Sequence, residues 1–348
     1  MTTQTPQGTP TDPREAERAE LRSLLGCDRP GALVPAAAPA PTAALVSGAD
    51  RFDPAPPGSP APPGPEDVQV APADRDPFPA LLLRPAPHRA TGAAVVLVPG
   101  HGAGMRAVVG PGDAYHGAIL QRLDDRGITV LVPEMISFGE RRTPPAPGAE
   151  PYGPAESSCA VDAARHLLHG IPLLGARVAD ASAAAAALRD LPGIAPERVG
   201  VAGGSGGGTV ALLLAAADTA IPAALVANYF SSFAASIAAR PHCPCNIVPG
   251  LLPAFEMADI AALVAPRTLV LEAGEADPLF PIEAARESFA RLEGLWGASL
   301  SDSTDATDGT HLEKTCPAPS EHPALVVSTA GHRLVGQESV DLLAAALA

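Results

Sequence analysis

The sequence predicts an α/β protein, with a mostly parallel central sheet and helices on both faces. Three observations carry this expectation. From about residue 79 onward, short apolar runs alternate with longer helical patterns. The runs are largely continuous in apolar residues rather than apolar at every second position, as suits strands covered on both faces. With 348 residues and 47% apolar side chains, the chain can bury a core of that size.

Residues 1–13 are polar and rich in Pro and Thr, the composition of a disordered tail. Residues 14–26 (REAERAELRSLLG) read as a short amphipathic helix that stops at Gly26. Residues 52–66 (FDPAPPGSPAPPGPE) form a Pro-rich loop that no central strand can contain. The expected organisation is a tail at 1–13, an N-terminal helix and Pro-rich segment at 14–78 packing on the main domain, and a main domain at 79–348. Strands are expected at Ala80–Leu83, Ala94–Val98, Thr129–Val132, Arg198–Ala202, Ala223–Ala227, Thr268–Leu271 and Ala324–Val327. Helices are expected near 113–126, 176–190, 207–217, 255–264, 282–295 and 337–347. In an open sheet of this kind, function sits at the carboxyl ends of the strands.

Composition excludes several function classes. A formal charge of −15 offers no basic footprint for nucleic acid. Lys314 is the single lysine, so a GxxxxGK phosphate loop cannot be written and a lysine Schiff base is disfavoured. Five scattered cysteines in a long chain do not indicate a disulfide scaffold. The first twenty residues contain no apolar stretch of the signal-peptide type, and the most apolar region, 210–230, is broken by Asp218 and Pro222. The expectation is a cytoplasmic protein without membrane or nucleic-acid partners. The N-terminal segment covers the sheet edge or contacts a second copy of the chain, and its residues do not decide between them.

The chemistry is concentrated at strand ends. Residues 198–214 (RVGVAGGSGGGTVALLL) run from a strand into Gly203-Gly204-Ser205-Gly206-Gly207, a GxSxG pattern, and then into an apolar helix. This strand–turn–helix setting is what a serine nucleophile needs, because a sharp turn projects its hydroxyl from the sheet and leaves no room for neighbouring Cβ atoms. A competing reading, Gly206-x-Gly208-x-x-Ala211 as a dinucleotide fingerprint, lacks the acidic residue expected after the next strand, which ends in Ala227-Asn228. The base and its orienting acid are expected later, in the order Ser, acid, His. Asp277 follows the run Thr268–Leu271 and is preferred over Glu272, read as still in the strand, and Glu275, read as solvated. His332 stands between the last strand and the last helix and is preferred over His311 and His322 in the preceding polar loop. The Gly100-His101-Gly102 turn supplies one oxyanion N–H, from His101 with Gly102 next, and Gly206 supplies the other.

Other groups carry weaker signals. His242-Cys243-Pro244-Cys245 reads as a proline-stiffened turn with unpaired thiols rather than a metal motif. Asp302, Asp305 and Asp308 have the wrong spacing for a calcium loop. Neither a metal nor a cofactor is expected. Arg141-Arg142 reads equally as a substrate anchor or a structural ion pair, and Glu134 as a capping or pairing group.

Several segments resemble the dienelactone hydrolase and acetyl xylan esterase-like branch of the α/β-hydrolase superfamily. They are ISFGERR at 136–142, LLGARVAD at 173–180, HCPCNIVPGLL at 242–252, EMADIAALVAPRTLVLEAGEADPLFPIEA at 256–284 and GHRL at 331–334. The resemblance implies one α/β-hydrolase domain, Ser205, Asp277 and His332 as its triad, and cofactor-free hydrolysis of a small carboxylic ester. It names no substrate. Dienelactone hydrolases proper use cysteine where this chain has Ser205. Residues 300–323 form a longer, more polar connection than usual ahead of His332. Amide, peptide or thioester cleavage and acyl transfer use the same triad, and a non-catalytic small-molecule-binding homologue would keep the fold.

Overall fold

The structure, a computed structural model, describes residues 14–27, 44–47, 64–102, 104–109, 115–153, 156–304 and 322–348. The tail at 1–13, residues 52–63 of the Pro-rich loop, and residues 305–321 of the polar connection, with His311 and Cys316, lie outside the described residues.

Among the described residues nine strands form one sheet: β1 (Ala44–Ser47), β2 (Glu66–Ala71), β3 (Phe78–Leu83), β4 (Ala94–Val98), β5 (Thr129–Pro133), β6 (Val199–Gly204), β7 (Ala223–Ala227), β8 (Thr268–Gly274) and β9 (Ala324–Ser328). Their spatial order is β1-β2-β3-β5-β4-β6-β7-β8-β9. Pairing is parallel from β5 through β9 and antiparallel from β1 to β5. The helices are α1 (Glu15–Leu24), α2 (Arg106–Val109), α3 (Ile119–Asp125), α4 (Cys159–Leu168), α5 (Leu173–Arg189), α6 (Gly206–Ala217), α7 (Leu251–Ala254), α8 (Met257–Ala262), α9 (Ile282–Thr304) and α10 (Gln337–Ala346).

The continuous apolar runs have the cause expected of them. Along β4, Ala94, Val96 and Val98 enter one core, with α1, α5, α6 and α8. Val95 and Leu97 enter the other, with Ile119 and Leu123 of α3 and Val340 and Leu343 of α10. Because side chains alternate along a strand, helices on both faces favour apolar residues at nearly every position. All seven expected strands are present. The sequence reading did not expect β1 and β2. Residues 66–71 (EDVQVA) alternate polar and apolar, with Val68 and Val70 buried, the pattern of an antiparallel strand covered on one face. Nor did it expect α4, a ten-residue helix. Among the described residues no single helix is long and apolar enough to cross a membrane.

The parallel half of the sheet positions chemistry. β4, β6, β8 and β9 all end on the same side, and the turns that leave them converge there.

Candidate active site

The turn between β6 and α6 places Ser205 at φ 53°, ψ −119°. A non-glycine residue costs energy at positive φ, and such strain persists only where surrounding packing imposes it. The packing is visible at its neighbours. A Cβ on Gly207 would collide with the Val98 carbonyl, and one on Gly203 with the Gly207 carbonyl. The Ser205 amide donates to the Ala227 carbonyl (2.8 Å), and Thr209 N donates to the Ser205 carbonyl (3.0 Å), fixing the turn between β7 and the first turn of α6.

His332 follows β9 and Asp277 follows β8. His332 Nε2 lies 2.9 Å from Ser205 Oγ, and His332 Nδ1 lies 2.8 Å from Asp277 Oδ2. The Leu279 and Phe280 amides donate to Asp277 Oδ1 at 2.8 and 3.1 Å, and Asn228 Nδ2 donates to Oδ2 at 3.4 Å. Burial alone would raise the Asp277 pKa. The hydrogen bond from His332 and the two amides outweigh burial and hold the carboxyl below its usual range. The acid is therefore charged and fixed, and it orients the imidazole with Nε2 towards the serine. The Phe280 ring stacks on His332 (centroids 5.8 Å, 21°), and the Tyr115 ring lies 5.5 Å away on a tilt. The sequence reading named neither ring, since an isolated aromatic in a loop carries no pattern.

The competing acids go elsewhere. Glu272 remains in β8, buried, and accepts from the Val335 and Gly336 amides (2.5 and 3.0 Å) and from the Ser339 hydroxyl, so it anchors the start of α10. Glu275 pairs with Arg286 at 3.5 Å. Arg141 lies against the Asp180 carboxylate (2.6 Å) and donates to the Glu134 carbonyl (2.9 Å), and Arg142 donates to the Gly139 and Gly153 carbonyls (3.0 and 2.8 Å). Both arginines are thus spent on structure. Glu134 is fully buried and accepts from the Met105 and Glu140 amides at 3.1 and 3.3 Å. Burial raises its pKa against the pull of those two amides.

The Gly-rich turn after β4 approaches the serine. A Cβ built on Gly206 would meet His101 Cβ at 3.1 Å and the His101 amide nitrogen at 3.3 Å. Among the described residues neither the His101 amide nor the Gly206 amide donates another hydrogen bond. His116 Nε2 accepts from Gly100 N (3.1 Å), and Glu134 accepts from Met105 N, so the turn is held at both ends.

The side chain of His101 lies in a second polar cluster. Its ring packs edge-on against Phe138 (5.0 Å) and joins Cys159, Cys243 and Cys245. One ring nitrogen and the three sulfurs all lie within 4.8 Å of one another. Cys159 opens α4, and Cys243 and Cys245 flank and occupy a 3-10 turn, Pro244–Asn246. The expected proline-stiffened turn is present, but its thiols face a third cysteine and a histidine rather than standing alone. Cys159 and Cys245 are 1% and 3% exposed, too buried for a solvated loop. Arg177, on α5, donates to Cys159 Sγ (2.7 Å) and twice to the Ile136 carbonyl (3.2 and 2.9 Å), and stacks 4.3 Å from the Phe138 ring centroid. Hydrogen bonds from Cys243 and Cys245 hold the Cys159 thiol far below its ordinary range, against burial, with His101 and Arg177 adding to the effect.

Similar folds are found among solved structures. A Bacteroides fragilis protein assigned as an acetyl xylan esterase superposes with a TM-score of 0.60 at 17% identity, over 90% of this chain and 74% of that one. A glucuronoyl esterase from Solibacter usitatus gives 0.58 at 16% identity, over 97% and 94%. Acetyl xylan esterase 1 from Thermoanaerobacterium sp. JW/SL YS485 gives 0.54 at 14% identity, over 97% and 96%. The chain has the α/β-hydrolase fold. No family model matches its sequence, and no curated protein does. At these identities the likeness to these neighbours is one of backbone.

Proposed function

We propose that the protein is a serine hydrolase that cleaves a carboxylic ester through an acyl-enzyme on Ser205. The hydrogen-bonded chain from Ser205 through His332 to Asp277 carries this reading. His332 Nε2 accepts the serine proton as Oγ attacks the ester carbonyl. The Asp277 carboxylate stabilises the imidazolium that forms. The N–H groups of His101 and Gly206 receive the oxyanion of the tetrahedral intermediate. Its collapse breaks the ester C–O bond, and His332 returns the proton to the departing alcohol. Water, deprotonated by the same imidazole, then attacks the acyl-enzyme and frees Ser205. The names of the structural neighbours, acetyl xylan and glucuronoyl esterases, support a carboxylic ester as the bond cleaved.

The test is Ser205→Ala assayed on short p-nitrophenyl esters, beside fluorophosphonate labelling of the wild type. Turnover falls by about 10⁶-fold, and the label is lost in the variant. Undiminished turnover, or labelling of the variant at full extent, overturns the proposal. A panel of graded acyl esters, peptides and acyl thioesters separates ester cleavage from the other reactions open to the same three residues.

A further inference from the structure

We propose that His101, Cys159, Cys243 and Cys245 form a closed tetrahedral site for one zinc ion, tying the turn after β4 to the start of α4 and to the Cys243–Ile247 turn. Three observations support it.

The first is the donor set. Three thiols and one imidazole are a complete ligand complement for structural zinc, with no position left for water or substrate. Zinc–sulfur bonds of about 2.3 Å in a tetrahedron place ligand atoms about 3.8 Å apart, and the four donors here already lie within 4.8 Å of one another. A disulfide between any two of the cysteines would leave the third thiol and the histidine without a purpose in the arrangement.

The second is charge. Arg177 is 2% exposed, and its hydrogen bonds go to one carbonyl and one sulfur. The nearest carboxylate, that of Asp180, is already paired with Arg141 (2.6 Å) and Arg75 (3.6 Å), and a buried guanidinium whose charge is incompletely balanced is unfavourable. A divalent ion with three thiolates and a neutral imidazole carries one negative charge, which Arg177 balances at Cys159.

The third is support around the ligands. Arg177 N–H donates to Cys159 Sγ, and Asn246 Nδ2 reaches Cys245 Sγ at 3.9 Å and the Cys243 carbonyl at 3.2 Å. Donors aimed at ligand sulfurs fix ligand orientation and tune a thiolate site.

The site is closed, so its role is structural rather than Lewis-acidic. It acts on the reaction through His101, whose side chain binds the ion and whose amide faces Gly206. This positioning role rests on the oxyanion assignment made above, whereas the ion's presence does not.

The experiment uses the full chain purified without chelator, dialysed, and analysed by elemental mass spectrometry and X-ray absorption. The expected result is about one zinc per chain, with a sulfur shell near 2.3 Å and a nitrogen near 2.0–2.1 Å. Cys159→Ser and Cys245→Ser lose the metal. His101→Ala, altered at the exposed rim of the site, keeps the test informative if a core serine fails to fold, and it lowers zinc retention by about 10-fold or more. Wild-type protein with below about one-tenth of a zinc per chain, an absorption spectrum without sulfur scatterers, or a disulfide among the three cysteines overturns the site. None of these readings involves an ester, so inactivity on esters leaves the zinc result standing. In active enzyme, stripping the metal lowers kcat by about 10²-fold with a smaller change in KM, the cost of a misplaced oxyanion donor. An unchanged kcat overturns the positioning role.

Discussion

The two polar clusters at the carboxyl end of the sheet are built by different means. Ser205, Asp277 and His332 each stand on the first turn after a parallel strand, so the sheet itself brings them together. His101, Cys159, Cys243 and Cys245 come from a turn, the first residue of a helix and a loop, and only their mutual packing assembles them. The clusters share one residue. His101 offers its backbone to the serine and its side chain to the cysteines. A rigid scaffold can therefore align a serine, an imidazole and a carboxylate unaided, whereas in the proposed reading the turn that holds the His101 amide near the serine has a fastening of its own.

The contrast can be broken experimentally, beginning where the effect is largest. Asp277→Asn leaves the strand ends intact and removes the charge that orients His332. Ester kcat is expected to fall by about 10⁴-fold with the thermal midpoint little changed, measured by steady-state kinetics beside calorimetry. A drop below tenfold would mean that the sheet geometry alone suffices. Arg177→Met inverts that pattern. Removing one partner of a buried charge pair costs about 3–5 kcal/mol, so stability falls and zinc content falls with it, while Ser205 still reacts with fluorophosphonate.

A smaller effect sharpens the scaffold side. Glu272→Gln keeps the shape but leaves the Val335 and Gly336 amides and the Ser339 hydroxyl with a weaker acceptor. The loss is about 1–3 kcal/mol in urea unfolding, with kcat within about twofold, because Glu272 serves α10 rather than His332. The smallest effect concerns pH. The Asp277 carboxyl is held below its ordinary range in the folded state, so its stabilisation is present above the unfolded value and lost as pH falls through the folded one. Acid unfolding of Asp277→Asn, followed from about pH 5 down through the unfolded aspartate value of about 3.9, has a shallower slope than the wild type below that value. An equal slope would show that Asp277 makes no such contribution.

Particular residues show what was legible beforehand. Val95 and Leu97 announced a strand because both faces of β4 are covered, which forbids polar residues at either parity. Ser205 was visible because crowding between β6 and α6 forbids side chains on its neighbours. Asp277 was separated from Glu272 by a single consideration, the point at which β8 ends. β2 was missed because its alternating EDVQVA is short and follows a proline-rich stretch. Phe280 and Tyr115 were missed because a ring that packs on an imidazole needs no spacing rule. Cys159 was missed because nothing near it in the chain marks it as a ligand.

By itself, the sequence determined the parallel sheet, the order of its strands along the chain, and a serine, an acid and a histidine at three strand ends. Each of these follows from local rules of periodicity, turn geometry and steric room. Tertiary structure decided which carboxylate faces the imidazole, that Arg141 and Arg142 are structural, and that three distant cysteines meet a histidine beside the serine. Those outcomes depend on contacts between segments far apart in the chain, and separation along a sequence does not encode distance in space.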